Sequence, residues 1–257
     1  MNPLDSCRAK LRQAEAHAQA LHEEIEAFKD TGALRIRGEA DRESSSYVFS
    51  VEVREEVPVL QWGCRIGDVL HNLHSALDNL VWQLAIFALQ REPTEKEAKS
   101  VSCPIALTRN DFDSHPVIKI LDPAHVSTLR GLQPYQQGVR KRAEGHPLAI
   151  LKRLSNIDKH RVVHLNYVAL SAFPVTAPVA VDYKITNINY APLDTPLVDG
   201  KEIARVEGRI TGPNPQIEGN AKLSGKVALS DGTPAQELID EIGDCVAAFV
   251  RDFHSAL

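Results

Sequence analysis

Apolar residues near the start of the chain fall on an unbroken three–four alternation: Leu4, Cys7, Leu11, Ala14, Ala18, Leu21, Ile25 and Phe28. The spacing predicts a helix of about 25 residues, roughly 38 Å long, with a heptad seam. Asn2-Pro3 supplies its start signal. The seam is narrow and holds two alanines, so it needs a close helix partner, from the same chain or from a second copy.

The pattern then changes period. Tyr47, Phe49, Val51 and Val53 alternate, and Leu34–Arg37 can pair with them as a hairpin within 33–58. The stretch from Gly38 to Ser46 is polar and reads as the loop between them.

Helical spacing returns over 65–90. One arc of this helix holds Ile66, Val69, Leu70, Leu73, Ala76, Leu77, Leu80, Val81 and Leu84. The opposite arc holds Asp68, His71, Asn72, Ser75, Asp78, Asn79 and Trp82. A solvated helix face ordinarily carries Lys and Glu, and neither occurs between Cys64 and Arg91. Short hydrogen-bonding side chains in their place predict a helix enclosed on most sides, whose polar groups are paired or serve chemistry.

From 91 to 145 the pattern predicts loops and short helices, at Thr94–Lys99 and from Asp122-Pro123 to Arg130, with a turn at Gln133–Gly138. Pro147 opens a helix with Leu148, Leu151, Leu154 and Ile157 on one face. Val162–Leu170 favours a strand. Residues 175–230 are β-like, with alternation at Val179, Val181, Tyr183 and Ile185 and again from Ala221 to Leu229. Thr233-Pro234 then opens a last helix with Leu238, Ile242, Cys245, Phe249 and Phe253 in a stripe. The expected architecture is α+β: a helical bundle core over 1–165, a β-rich insertion over 166–230, and a helix over 231–257 that returns to the bundle. Long helices separated from runs of strands disfavour an alternating β/α fold.

Composition adds exclusions. With 257 residues, 43% hydrophobic and 25% charged, the chain is neither disordered nor low in complexity. A net charge of −5 and 5% aromatics argue against a globally basic or base-stacking nucleic-acid binder. No two of the four cysteines, Cys7, Cys64, Cys103 and Cys245, lie closer than 39 residues, which excludes a zinc ribbon. They read as reduced thiols, each a small buried apolar residue. No signal-peptide pattern opens the chain, and the longest apolar run, Leu80–Leu89, is too short for a bilayer span. A cytoplasmic protein is expected.

Two segments carry candidate chemistry. Asp68, His71, Asn72 and Ser75 lie at i, i+3, i+4 and i+7, on one helix face, with Asp78 and Asn79 beyond. A carboxylate beside an imidazole fixes its tautomer and raises its basicity, which suits acid–base work. The second segment is Asn156-Ile157-Asp158-Lys159-His160-Arg161, with His164 beyond. Between Arg130 and Arg161 eight Lys/Arg stand against two acids, a local +6 that fits a phosphate-bearing substrate. The bland alternatives are a core hydrogen-bond network and a solvated basic face. A metal site built from His71, His74, His160 and His164 with Asp68 or Asp158 is a third reading. No cofactor is implied, and no GxSxG, GxxxxGK[ST] or GxGxxG motif occurs.

The string from Gly67 to Leu84, GDVLHNLHSALDNLVWQL, resembles an uncharacterised bacterial family with a GD-x-x-HNLRSALDHLVWQL helix. Its later LQPY and N-x-DKHR segments match Leu132–Tyr135 and Asn156–Arg161. The resemblance covers about residues 60–165 and implies no activity. A looser likeness is to HEPN domains, helical bundles of which many are metal-independent ribonucleases with an Arg, four to six residues, then a His. In the family's long helix this chain has His74 and Asn79 at those two positions. Arg65/His71 and Arg153/His160 keep the spacing, as do Arg12/His17, Arg109/His115 and Arg140/His146.

The HEPN likeness implies action on RNA, as an endoribonuclease of a defence or toxin type. His71 and His160 are then the acid–base residues, and Asp68 orients His71. Lys159, Arg161, Asn72, Asp78 and Asn156 contact substrate, no metal is required, and a homodimer is expected through the heptad seam. The rival expectation is a non-catalytic interaction protein with a structural polar network.

Overall fold

The computed structural model describes residues 3–169, 179–192, 195–218 and 225–253. In chain order these form α1 (Asp5–Asp30), the strands β1 (Leu34–Asp41) and β2 (Ser46–Val53), and α2 (Val59–Leu89). Short helices follow: α3 (Glu95–Ala98), α4 (Arg109–Asp113), α5 (Pro123–Gly131) and α6 (Arg140–Glu144), with 3-10 turns at Pro116–Lys119 and Pro134–Gln137. Next come α7 (Pro147–Asp158), then β3 (Leu165–Ala169), β4 (Val179–Val181), β5 (Tyr183–Tyr190), β6 (Glu202–Ile210), β7 (Gln216–Glu218) and β8 (Gly225–Leu229). Helix α8 (Ala235–Asp252) ends the series. The fold is α+β, as the periodicities predict.

The chain divides into two compact units. The first holds residues 1–21, 61–163 and 236–257, and it is helical. Its core is the set of positions that the helical periods select. Leu4 just before α1 and Cys7, Ala14 and Leu21 within it are buried, as are Ile66, Val69, Leu70, Leu73, Leu77, Leu80 and Leu84 of α2 and Ile242, Phe249 and Phe253 toward the C-terminus. Leu11, Ala14 and Ala18 of α1 face the same groove as Val69 and Leu73 of α2 and Ile239 and Gly243 of α8. None of the described helices is long and apolar enough to cross a membrane.

The second unit holds residues 22–60 and 164–235. Its main sheet is antiparallel in the order β1-β2-β6-β5, with smaller pairs β3-β8 and β4-β7. Phe49, Val51, Ile203, Ala204 and Val206 are buried.

Three details differ from the sequence reading. The polar stretch 38–46 is mostly strand, because β1 runs on to Asp41 and the turn shrinks to 42–45, with Ser45 at φ 53°. Strand β1 is an edge strand, so alternate exposed positions need no apolar residue. The single alternation over 179–185 is two strands. Asp182, at φ 53°, breaks it, and its carbonyl accepts from the Thr211 N–H at 2.8 Å. Strand β4 therefore pairs with β7 while β5 pairs with β6. Cys64 is exposed, not buried, because it lies on the outward stripe of α2; Cys7 and Cys103 are buried and Cys245 is half-buried. The alternation at Ala221 and Leu223 lies outside the described residues.

Candidate acid–base site on the second long helix

Helix α2 presents an outward stripe of Gln61, Cys64, Asp68 and His71, all exposed. The enclosure expected from its polar arc holds only farther along, where His74, Ser75, Asp78, Asn79 and Trp82 are half-buried.

Two glycines beside this stripe decide what meets it. A Cβ on Gly63 would sit 2.6 Å from both the Val162 side chain and the Val163 carbonyl oxygen. A Cβ on Gly67 would overlap the Asp158 carboxylate. The chain leaving α7 thus lies in a notch of α2, one turn wide. An interior glycine costs a helix about 1 kcal/mol relative to alanine. Close packing of 158–163 is what these two positions gain.

The notch brings the two candidate segments together. Burial and the neighbouring Asp68 carboxylate push the Asp158 carboxyl above the usual aspartate range, and positive charge on His71 pulls it back. Asp158 thus lies within charge range of Asp68 and His71, both of which are exposed. Helix α7 ends at Asp158, and a tight turn follows, in which the His160 and Arg161 N–H groups donate to the Ile157 carbonyl. Lys159, His160 and Arg161 on this turn are exposed. Because the helix stops there, His160 and His164 do not hold the i, i+4 spacing of a helical ligand pair. Among the described residues, no group of three or more His, Cys, Asp or Glu is placed to hold a metal ion.

No family model, curated protein or solved structure matches this chain. The site therefore rests on its own geometry.

Two of the expected substrate contacts face elsewhere. Asn72 is buried; its amide donates to the Asp68 carbonyl at 2.9 Å, and its oxygen accepts from Lys10 Nζ at 3.4 Å. Asp78 lies ten residues beyond Asp68, about 15 Å along the helix axis. One of its carboxylate oxygens accepts from the Cys103 N–H at 2.8 Å, and the other sits 3.3 Å from His74 Nδ1. The extended segment from Cys103 to Ala106 is held by side chains at three of its four residues. Lys152 Nζ donates to the Ile105 carbonyl at 2.7 Å, and Gln133 accepts from the Ala106 N–H at 2.9 Å. Burial and the Asp78 carboxylate push the Cys103 thiol far above its ordinary value, so it stays protonated. Asn156 is exposed on α7 and borders an open groove.

Two further histidines are caps. His115 and His146 each precede a proline, and their Nδ1 atoms accept from the N–H two residues on, Val117 at 3.4 Å and Leu148 at 3.2 Å. Burial lowers both imidazoles, with Lys152 adding to the effect at His115. Their role is to close helix starts, so the Arg–His spacings that end at them mark no site.

Sequence reasoning missed Gly63, Gly67 and the place of Asp158 beside His71. The signal was present: two glycines four residues apart inside an otherwise strong helix call for a close neighbour.

Proposed function

We propose that this protein is a HEPN-like helical-bundle ribonuclease that cleaves RNA without a metal. What carries the reading is the cluster at the notch, where Asp158 joins Asp68 and His71 beside the basic turn 159–161. An exposed imidazole on a long helix, close enough for its charge to act on Asp158, suits general acid–base work.

In this mechanism His71 takes the proton from a ribose 2′-hydroxyl. The 2′ oxygen bonds to the adjacent phosphorus, and the bond from phosphorus to the 5′ oxygen breaks. His160 gives its proton to that leaving oxygen. The products are a 2′,3′-cyclic phosphate and a 5′-hydroxyl. Lys159 and Arg161 offset the charge that builds on the phosphoryl oxygens. Asp68 and Asp158 carry their carboxylates near His71, and Asn156 borders the groove on the other face of α7.

The test is cleavage of single-stranded RNA by pure protein, with and without EDTA, beside His71→Ala and His160→Ala. Cleavage that survives EDTA and is lost in both variants supports the reading. A folded wild type that leaves several RNAs intact overturns it. The second reading is a non-catalytic interaction protein, and it draws on Asn72 and Asp78, whose hydrogen bonds are internal and which act as struts. A second copy of the chain is also a proposed partner. Cys7, Ala14 and Leu21 of the α1 seam are already buried within one chain, whereas Leu11 and Ala18 are half-buried; sedimentation equilibrium tests for the dimer.

A further inference from the structure

The face of α7 that points away from the notch borders a groove of about 640 Å³. This lies within the ~300–1,000 Å³ range of small-molecule sites. Ile105, Leu107 and Ala149 give it an apolar floor, and Lys152, Arg153 and Asn156 line one side. Ala149, Lys152, Arg153 and Asn156 are spaced i, i+3, i+4 and i+7, so one helix stripe supplies most of that side.

The cations there are prepared for an anion. Lys152 is tethered to the Ile105 carbonyl, which fixes its ammonium and leaves two N–H donors. Arg153 is exposed and has no ion-pair partner among the described residues. Glu144, the acid on the rim, is occupied by Arg140 at 2.8 Å. An apolar floor, two cations and one amide fit a nucleotide: base on the floor, phosphate on the cations, base edge on the amide.

We infer that this groove seats one nucleotide of a single-stranded RNA, with Lys152 and Arg153 on its phosphate and Asn156 on its base edge. Arg153 lies five residues before Asp158, about 7.5 Å along the α7 axis and about 140° around it, so groove and acid–base cluster lie on different faces of one helix and a strand that reaches both must pass around α7. The inference rests on the RNA reading above, and its test separates binding from cleavage.

The experiment measures binding of a short fluorescein-labelled single-stranded RNA by anisotropy, using the full chain in a His71→Ala background that prevents turnover. Arg153→Glu is expected to weaken binding about tenfold or more and to lower the salt slope by about 1. Asn156→Ala is expected to weaken it less and to alter base preference. Arg153→Lys keeps the charge and tests whether loss in Arg153→Glu is misfolding. Lys119→Glu makes the same charge change on an exposed residue outside the groove and is expected to leave affinity nearly unchanged. This pattern supports the groove even where the wild type shows no cleavage. Equal affinity in Arg153→Glu and its background, or equal losses in Arg153→Glu and Lys119→Glu, overturns it even where the wild type cleaves RNA.

Discussion

The Asp158 carboxylate occupies the space that a side chain on Gly67 would fill. This one relation joins the end of α7 to the face of α2 and sets Asp158 beside Asp68 and His71. Gly67→Ala should force the carboxylate out. Overpacking costs about 1–3 kcal/mol, against about 1 kcal/mol gained in helix propensity. The expected net is a loss of up to about 2 kcal/mol in urea unfolding. In an Asp158→Ala background the sign should reverse, since only the propensity gain remains. Equal effects in both backgrounds would show that the carboxylate does not fill the notch.

Asp158 carries a pH signature of its own. Its folded-state pKa is raised, chiefly by burial. Between its unfolded and folded values the native state holds the extra proton, so stability falls as pH rises through that window. Asp158→Asn should therefore melt higher than wild type at pH 7, with the gain disappearing below the unfolded aspartate pKa. Under the proposed function the same substitution lowers the cleavage rate, because one carboxylate beside the His71 imidazolium is gone. A lower melting temperature at pH 7 would show that attraction to His71 outweighs the cost of burial.

The histidine caps predict the opposite slope. His146 must be neutral for Nδ1 to accept the Leu148 N–H, and burial holds its pKa below the ordinary 6.5. The unfolded chain binds the proton first. The stability from this cap is fully present above pH 6.5 and is lost as pH falls through the folded-state pKa. His146→Asn keeps a good cap without a titrating group. Thermal melts from pH 7.5 to 5 should show a shallower decline for the variant; identical profiles would remove His146 from the acid response.

Asp78 tests the rigid half of the polar arc. Asp78→Ala leaves the Cys103 N–H without its acceptor and His74 without its partner. An orphaned buried donor costs about 1–3 kcal/mol. Chemical denaturation should show a loss in that range, whereas His71→Ala, at an exposed position, should stay within about 0.5 kcal/mol of wild type. Similar losses for both would place His71 in the packed network.

Thiol reactivity checks the stripe directly. Cys64 is exposed next to Asp68, while Cys7 and Cys103 are buried with raised pKa values. A native-state titration with an aromatic disulfide should find Cys64 the fast thiol, and Cys7 and Cys103 should react only on unfolding. Fast loss of Cys103 would contradict the packing of the 103–106 segment.

Much of this was legible along the chain. The seam from Leu4 to Phe28 and the arc from Ile66 to Leu84 mark buried faces, because a helix has one period and one core side. Asp68 and His71 were legible as neighbours for the same reason. What escaped depends on partners distant in sequence. Nothing local reveals that Asp158 lies over Gly67, or that Asp78 reaches the Cys103 N–H. Asp182 divides an alternation that its flanking residues continue without a break, since a single left-handed residue leaves the hydrophobic pattern intact. Histidine before proline resembles a chemical group and proves to be a cap, because a neutral imidazole accepts a hydrogen bond much as asparagine does.

The segment from Cys103 to Ala106 has a consequence for the timing of motion. Its Cys103 and Ala106 amides donate to side chains of Asp78 and Gln133, with no neighbouring strand involved. Fraying that travels residue by residue along a ladder has no route here. Each amide is freed only when its own tether swings away, so solvent deuterium enters the two positions through separate openings. The two amides are therefore expected to exchange at independent rates, one set by Asp78 and the other by Gln133.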